Sequence, residues 1–259
     1  MRVFLICFSL LFLMPTVPAE DNRGRQIYVQ RDTQDSGFVD STVVMNMILF
    51  AKNGRTSRRV IKIQILEGLK DKGDKMTLVF KQPRDIAGTA LLTHELLEQD
   101  DNQWLYMPAF KRIKRISSRN RTGRFMGTEF TYEDLAGEKV NDFRYRYLGT
   151  RKYRGKMVYY IERIPVSRYS GYSRQETFVD PKTYQAVKII YYDRKGRLLK
   201  TQEAENWVAY LNKFWRPKKI VMTNHRTGRS TIVTVTSDYE FAKGLRDSDF
   251  SKSALRRIR

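Results

Sequence analysis

The stretch STVVMNMILFAKNGRTSRRVIKIQIL, which runs from Ser41 to Leu66, has the pattern of a β-hairpin. Its two halves, Ser41–Ala51 and Arg59–Leu66, carry large apolar residues at every second position. These are Val43, Met45, Met47 and Leu49 in the first half and Ile61, Ile63 and Ile65 in the second. Because successive side chains of a strand point to opposite faces, each set lies on one face. Asn53-Gly54 tolerates the positive φ angles of a tight turn, so the stretch predicts two antiparallel strands.

Similar short segments, separated by turn residues, recur along the chain. The further predicted strands are Lys75–Lys81, Ala90–Leu97, Gln103–Ile116, Phe143–Leu148, Met157–Pro165, Glu176–Val179, Ala186–Asp193, Leu198–Val208, Lys218–Asn224 and Ser230–Ser237. Helical patterns are predicted for Asp21–Gln34, Tyr132–Gly137 and Phe250–Ile258, the last capped by Ser248 or Asp249. This order predicts a mostly β (α+β) protein with one large antiparallel sheet or barrel.

The N-terminus has the features of an export signal. Arg2 precedes an apolar run over residues 3–14, and a small-residue tripeptide ends at Ala19. The run is shorter than the about 20 residues that span a bilayer, so cleavage after Ala19 is favoured over a membrane anchor. The chain's one cysteine, Cys7, leaves with the signal. These features predict a signal peptide over residues 1–19 and a periplasmic location for the rest of the chain. Residues 20–259 are predicted to form a single domain, which has no cysteine for a disulfide.

The charge balance is strongly basic. The chain has 49 Lys and Arg residues against 28 Asp and Glu residues, which gives a net charge of +21. Losing Arg2 alone with the signal lowers this value to +20. Such a balance favours anionic partners, and aromatic and basic residues interleaved as in Arg144–Tyr147 can bind nucleic acid. Export argues against nucleic acid, so we expect transient contact with an anionic membrane surface.

A second informative stretch is QWLYMPAFKRIKRISSRNRTGRFMGTEFTYEDL, residues Gln103–Leu135. Together with KQPRDIAGTALL, residues Lys81–Leu92, it resembles the family of LolA-like outer-membrane lipoprotein-sorting proteins, relatives of the periplasmic lipoprotein carriers. The resemblance implies a strongly curved, incomplete β-barrel with a few short helices covering the concave face. It also implies a carrier or chaperone that moves a lipid or lipoprotein acyl chains from an inner-membrane transporter, of the ABC or resistance-nodulation-division type, to the outer membrane.

The family motif suggests a loop or lid. Its residues here are Trp104, Tyr106, Pro108, Phe125, Met126, Gly127, Phe130, Tyr132 and Asp134. Gly127 permits a backbone conformation or close approach that side chains would block, and Thr131 can cap a helix that begins at Tyr132. The segment either gates a cavity or docks a transporter, or it is a structural plug.

An apolar concave face could hold an acyl chain, since burying each CH₂ group stabilises by about 0.8 kcal/mol without directional contacts. The candidate lining residues are Met45, Met47, Ile61, Ile63, Met76, Leu78, Phe80, Leu105 and Met107. Methionine is flexible enough to repack around different chains. The alternative is that these residues form an ordinary packed core.

A basic strip follows the tryptophan strand. It contains Lys111, Arg112, Lys114, Arg115 and Arg119, with no acidic residue among them. Such a strip could bind anionic headgroups or an acidic partner. It could also be a solvated edge strand, where lysine and arginine prevent edge-to-edge aggregation. The alternative function is therefore a non-enzymatic envelope-binding, adhesion or transporter-accessory module that uses its basic surface.

Motifs for catalysis are missing from the sequence. His94 and His225 belong to no metal-ligand pattern, and there is no G-x-S-x-G elbow or Gly-rich phosphate loop. Hydrolysis of an envelope lipid would need clustered acid and base groups, which no segment supplies. The sequence predicts a protein that is not an enzyme and holds no metal or cofactor.

Overall fold

A computed structural model describes residues 22–69 and 72–258, so the predicted signal peptide lies outside the described residues. The helices are α1 (Asn22–Asp35) and α2 (Lys252–Leu255). The strands are β1 (Asp40–Phe50), β2 (Thr56–Leu66), β3 (Lys75–Gln82), β4 (Ala90–His94), β5 (Asn102–Met107), β6 (Arg112–Ile116), β7 (Phe143–Tyr153), β8 (Lys156–Pro165), β9 (Tyr172–Val179), β10 (Ala186–Asp193), β11 (Leu198–Tyr210), β12 (Phe214–Asn224), β13 (Arg229–Val235) and β14 (Glu240–Phe241).

The fourteen strands of the described residues all belong to one antiparallel sheet. Its order is β6-β5-β4-β3-β2-β1-β13-β12-β11-β10-β9-β8-β7, and β14 pairs beside the start of β1. The sheet consists of two meanders, β1–β6 and β7–β13, which join where β1 pairs with β13. Strands β6 and β7 are the two ends of this order, so the sheet is not closed into a barrel. The predicted mostly β class with one large antiparallel sheet is confirmed.

One face of the sheet carries the main core. The predicted antiparallel pairing of β1 with β2 is confirmed, and Met45 lies opposite Ile61, which lies opposite Phe80 on β3. Leu105, one strand from the β6 edge, and Tyr145, on the β7 edge strand, belong to the same buried cluster. The two ends of the sheet can share a core only if the sheet curves around it. We call this the concave face.

The short helices divide between the two faces. Helix α1 covers the concave face, where the rings of Tyr28 and Tyr145 are 4.9 Å apart. Helix α2 lies on the convex face, and its Leu255 packs in a second cluster with Tyr106 and Val79. The concave face is therefore covered by α1 and by residues 117–142, a connection between β6 and β7 that we call the inner segment.

Several predicted strands are longer in the structure. Strand β7 continues to Tyr153 and forms a tight hairpin with β8, because Arg154 and Gly155 both adopt positive φ angles of 47° and 81°. The predicted strand Ala90–Leu97 ends earlier, at His94, because both neighbouring strands begin opposite that residue, β3 at Lys75 and β5 at Asn102.

The prediction of one strand over Gln103–Ile116 was wrong at its centre. Pro108 starts a 3₁₀ turn that ends at Phe110, and Lys111 follows with a φ of 50°. Proline cannot donate to a strand ladder, so the chain reverses there. Arg112–Ile116 then pairs back on β5 as a separate strand.

Two helix predictions were also wrong. Residues Tyr132–Gly137 form turns instead of a helix. Thr131 and Asp134 exchange hydrogen bonds as at the start of a helix, but the Asp134 carboxylate is also bound by Tyr172 and Lys200 from strands β9 and β11. The C-terminal helix begins at Lys252, and its cap is Ser251, which accepts from the Ala254 amide. The predicted caps Ser248 and Asp249 belong instead to a 3₁₀ turn over Asp247–Phe250.

Candidate functional site

The inner segment places an aromatic turn against the centre of the concave face. Phe125 is fully buried, and its ring stacks on that of Phe80 with 5.5 Å between centroids. Phe130 is also buried, and its carbonyl accepts from the Phe125 amide at 2.8 Å. Gly127, at the turn, has a φ of 78°, and a Cβ there would meet no atom within 4 Å. Its role is therefore backbone conformation and not close approach.

A buried ion pair fixes the inner segment to β11. The Lys200 ammonium group pairs with the Asp134 carboxylate, and the two side chains are 2% and 3% exposed. Asp134 also accepts from the Tyr172 hydroxyl at 2.6 Å. Burial, and then the charge of Asp134, raise the pKa of Tyr172 well above its ordinary value. The tyrosine therefore stays a neutral donor.

Two further carboxylates hold the inner segment. Glu129 pairs with Arg124 and accepts from the Asn224 amide at 2.9 Å. Glu133 accepts from the Ser170 hydroxyl at 2.5 Å, and burial raises its pKa. The segment is thus attached to β12 and to the β8–β9 connection as well as to β11.

A second charged cluster joins the end of the inner segment to α1. Glu138 accepts from Arg163 on β8 and from Arg31 on α1, both at 2.5 Å. Burial alone would raise the pKa of Glu138, but the two guanidinium groups lower it to about 2. Arg163 is itself buried and donates to Gln175 at 2.7 Å. This cluster fixes α1 over the concave face.

A cavity of about 710 Å³ lies between α1, the β2–β3 connection and residues 135–141 of the inner segment. Its size falls within the range of about 300–1,000 Å³ that is usual for small-molecule sites. Its apolar walls come from Phe38, Ile65, Met76, Leu97, Leu135 and Val140. We call it the mouth cavity.

Carboxylates surround the mouth cavity. The Glu95 carboxylate accepts a hydrogen bond from the backbone amide of Asp74 at 2.9 Å. The Asp74 carboxylate in turn accepts from the backbone amide of Gly68 at 2.8 Å. Burial raises the pKa of Asp74 to about 6 and that of Glu95 to about 7. A Cβ on Gly137 would lie 2.7 Å from a Glu95 carboxylate oxygen, so the absence of a side chain lets the inner segment approach.

Of the nine predicted lining residues, Met76 borders the mouth cavity. The other eight lie elsewhere on the same face. Met45, Met47, Ile61, Leu78, Phe80 and Leu105 are buried in the core, and Ile63 and Met107 pack against it partly exposed. The inner segment contacts this group, since Phe125 and Phe130 belong to the same cluster.

The predicted loop residues separate into two groups. Phe125, Met126, Gly127, Phe130, Tyr132 and Asp134 all lie in the inner segment. Trp104 and Tyr106 lie on β5 and face the convex side, so the expectation that they join a lid was wrong. The physical reason is strand alternation, which sends them opposite to Leu105. Pro108 lies at the β5–β6 turn, 3.1 Å from a Cβ placed on Gly88.

The predicted basic strip lies at the β6 edge of the sheet. Arg112 and Lys114 lie on the concave side, opposite Met107 and Leu105, whereas Arg115 lies on the convex side, opposite Trp104. The Arg115 guanidinium donates to the Asn102 side chain at 2.7 Å. Hydrogen bonds from Arg168 and, to a smaller extent, from Arg119 lower the pKa of Tyr169, which is partly exposed. Lys111 is in the turn that precedes β6.

The histidines have structural partners. His94 Nε2 lies 2.6 Å from the Phe250 carbonyl, and His225 Nε2 lies 2.7 Å from the Thr201 hydroxyl. Within residues 22–69 and 72–258, no three His, Cys, Asp or Glu side chains group as a metal site would require. In the same part of the chain, no helix combines the length and apolar character needed to cross a bilayer.

Comparison with known proteins identifies the family. The chain is 42% identical to a domain from Vibrio parahaemolyticus that is named for outer-membrane lipoprotein sorting. The match covers 91% of this chain and 99% of that chain, with a TM-score of 0.88. The chain belongs to the LolA-like lipoprotein-sorting protein family.

Other relatives of the LolA-like chain share the fold. A DUF1329 family protein from Desulfovibrio piger is 29% identical over 91% of this chain and 99% of its own, with a TM-score of 0.86. A LolA superfamily protein from Nitrosomonas europaea is 19% identical over 89% and 98%, with a TM-score of 0.70, and supports the fold alone. A profile for a family of uncharacterized proteins matches residues 72–257. No curated protein matches the chain.

Sequence reasoning missed the charged residues that fix the inner segment in this LolA-like protein. Lys200 could have indicated a buried ion pair, because it shares the inward face of β11 with Gln202 and Ala204. A lysine in phase with a buried face requires a buried partner. The partner, Asp134, is 66 residues away, and local patterns do not connect the two.

Proposed function

We propose that this protein is a periplasmic carrier that shields an acyl chain of a lipid or a lipoprotein between the inner and the outer membrane. Family membership supports the proposal, and the Vibrio parahaemolyticus relative is named for outer-membrane lipoprotein sorting. The proposed location follows from the predicted signal peptide, cleaved after Ala19. The inner-membrane transporter, of the ABC or resistance-nodulation-division type, is part of the same proposal.

The mouth cavity is the observation that carries this proposal. Its apolar walls, including Ile65 and Met76, lie on the same side of the sheet as the apolar core residues of β1–β5. An acyl chain that enters there gains stability from apolar burial without directional contacts. The six predicted lining residues that are buried in the core become accessible only if the inner segment moves. The proposed carrier thus has a ready entrance and an interior that is occupied by Phe125 and Phe130.

Cargo would then be exchanged by competition with the inner segment. An acyl chain that extends beyond the mouth cavity replaces aromatic side chains of the segment, so binding and release have similar free energies. This balance suits a carrier, which must both take up and deliver cargo. No bond is made or broken in such a transfer, so the proposed function is not enzymatic.

Native mass spectrometry of the protein, purified from periplasm without detergent, tests the proposal. Organic extraction then identifies any bound lipid or acylated peptide. A discrete additional mass of this kind is expected. An apo mass, in a protein that also fails to take up a fluorescent fatty acid, would contradict the carrier function.

A matched pair of variants tests the site. Met76→Trp fills the mouth cavity and is expected to weaken fatty-acid uptake at least about tenfold, as expected for lost apolar burial. Met157→Trp, at a position that is 54% exposed on β8, is the control and should bind normally. Circular dichroism establishes that both variants fold. Equal uptake by the two folded variants would place the cargo elsewhere.

The alternative function, a binding or transporter-accessory module, is favoured by a different observation. Lys111, Arg112 and Lys114 are exposed, and none of the three forms an ion pair with any residue in the described ranges. Under this alternative the concave face is simply a core. The protein would then fail the cargo test and still bind an acidic protein or polysaccharide.

A further inference from the structure

A shallow cleft of about 380 Å³ lies on the convex face, between strand β6 and helix α2. Its lining residues are Trp104, Ile113, Arg115, Lys252, Ser253 and Arg256. The Lys252 ammonium group lies 5.5 Å from the centre of the Trp104 ring. The cleft is on the opposite side of the sheet from the mouth cavity, so it is independent of the cargo site.

The cations around this cleft lack anionic partners. Arg115, Lys252 and Arg256 are exposed, and no ion pair joins them to any residue that the structure describes. The sequence contains no Asp or Glu over residues 102–128 or 250–258. The basic strip at the β6 edge adds its own cations to the same border. The surface around the cleft is therefore positively charged, and no carboxylate of the described residues pairs with these three cations. The buried cations Lys200 and Arg163, in contrast, each pair with a carboxylate.

Apolar side chains lie next to these charges. Phe110, at the tip of the β5–β6 hairpin, is 68% exposed, and Trp104 and Ile113 are partly exposed. Three residues separate the Trp104–Arg115 pair from the end of the strands at Met107–Arg112. At about 3.3 Å per residue, the tip therefore lies about 10 Å from the cleft along the strands. Tryptophan and phenylalanine beside lysine and arginine are typical of surfaces that rest at a lipid–water interface.

We propose that the free edge formed by the β5–β6 hairpin and α2 docks this protein onto an anionic lipid bilayer. Arg115, Lys252 and Arg256 contact headgroup phosphates, while Phe110 and the exposed part of Trp104 enter the interfacial layer. Charge complementarity selects the partner, and the exposed aromatic tip favours a bilayer over a soluble acidic protein. The proposal adds a place of membrane contact to the proposed carrier function. It leaves the mouth cavity, on the other face, free for cargo.

Co-sedimentation of the folded protein with vesicles tests this proposal. Vesicles of phosphatidylcholine with one-third phosphatidylglycerol are compared with vesicles of phosphatidylcholine alone. Binding to the anionic vesicles is expected, with a loss on raising the salt concentration because the exposed charges are screened. Absence of binding, or equal binding to both kinds of vesicle, would overturn the proposal.

Variants locate the contact. Each cation near an anionic surface contributes about fivefold to binding, so Lys252→Ala with Arg256→Ala is expected to weaken vesicle binding about 25-fold. Phe110→Ala should weaken it about tenfold. The control, Lys182→Ala with Lys195→Ala, removes two exposed cations from the turns that flank β10.

The control separates a defined surface from diffuse charge. An equal loss of binding in the control and in the Lys252 and Arg256 double variant would show that net charge alone attracts the protein, and would overturn the proposed surface. Fatty-acid uptake is measured in the same variants without vesicles. Docking is judged from vesicle binding and carriage from uptake, so the failure of one is distinguishable from the failure of the other.

Discussion

Lys200→Met is expected to lower the free energy of unfolding by about 3 kcal/mol at pH 8. The substitution removes one partner of the buried pair with Asp134, and losing one partner of such a pair costs about 3–5 kcal/mol. The Tyr172 hydroxyl and the Thr131 amide, both at 2.6 Å, continue to donate to the carboxylate. These remaining donors place the expected loss at the lower end of the range.

A double variant tests whether an unpaired charge causes the loss. In the single variant the Asp134 carboxylate is buried without its cation. Lys200→Met combined with Asp134→Asn should be more stable than the single variant, because no unpaired charge is left.

Urea unfolding followed by far-UV circular dichroism at pH 8 measures these differences. Lys182→Met, at an exposed turn position, is the control and should change the free energy by less than about 0.5 kcal/mol. A loss below about 1 kcal/mol for Lys200→Met at pH 8 would refute the reasoning, since it lies well below the cost of breaking a buried pair. So would a double variant that is as unstable as the single one.

Two further predictions concern stability. Phe125→Ala is expected to lower the free energy of unfolding in urea by about 3–5 kcal/mol, since Phe125 is fully buried against Phe80. The control, Phe110→Ala, should lower it by less than about 0.5 kcal/mol, and similar losses in the two variants would contradict the assigned packing. Burial raises the pKa of Glu95 from 4.5 to about 7, so its protonated form stabilises the fold at low pH, and this contribution is lost as the pH rises to about 7. Glu95→Gln should therefore show a smaller fall in unfolding free energy between pH 4.5 and 7 than the wild type; equally steep profiles would count against it.

Local patterns in the sequence predicted the sheet well. Alternation fixed which residues of β1 and β2 share a face, because a strand has a period of two. The apolar alternation on either side of Pro108 predicted one continuous strand, whereas the proline, which cannot donate to a strand ladder, starts a turn. The helix prediction at Tyr132 failed because Asp134 makes tertiary contacts that local propensity does not include.

The site was harder to predict than the fold. The apolar residues of β1–β5 lie on the predicted face, but sequence alternation cannot show what else occupies that face. Phe125 and Phe130 occupy it, and a buried pair between Lys200 and Asp134 holds them there. The C-terminal helix also covers the convex side, which creates a cleft with Trp104 that the basic strip alone did not suggest.

The pairing of β1 with β13 has a consequence for how the chain folds. Met45 and Val235 lie opposite each other although 190 positions separate them. The meander β1–β6 can form early from neighbouring strands, but β1 then exposes an unpaired edge until residues 229–235 arrive. Contacts of such sequence separation slow folding, and an open strand edge invites aggregation. For the exported chain proposed here, a chaperone that protects the open edge of β1 until β13 pairs with it would matter more than the final stability of the sheet.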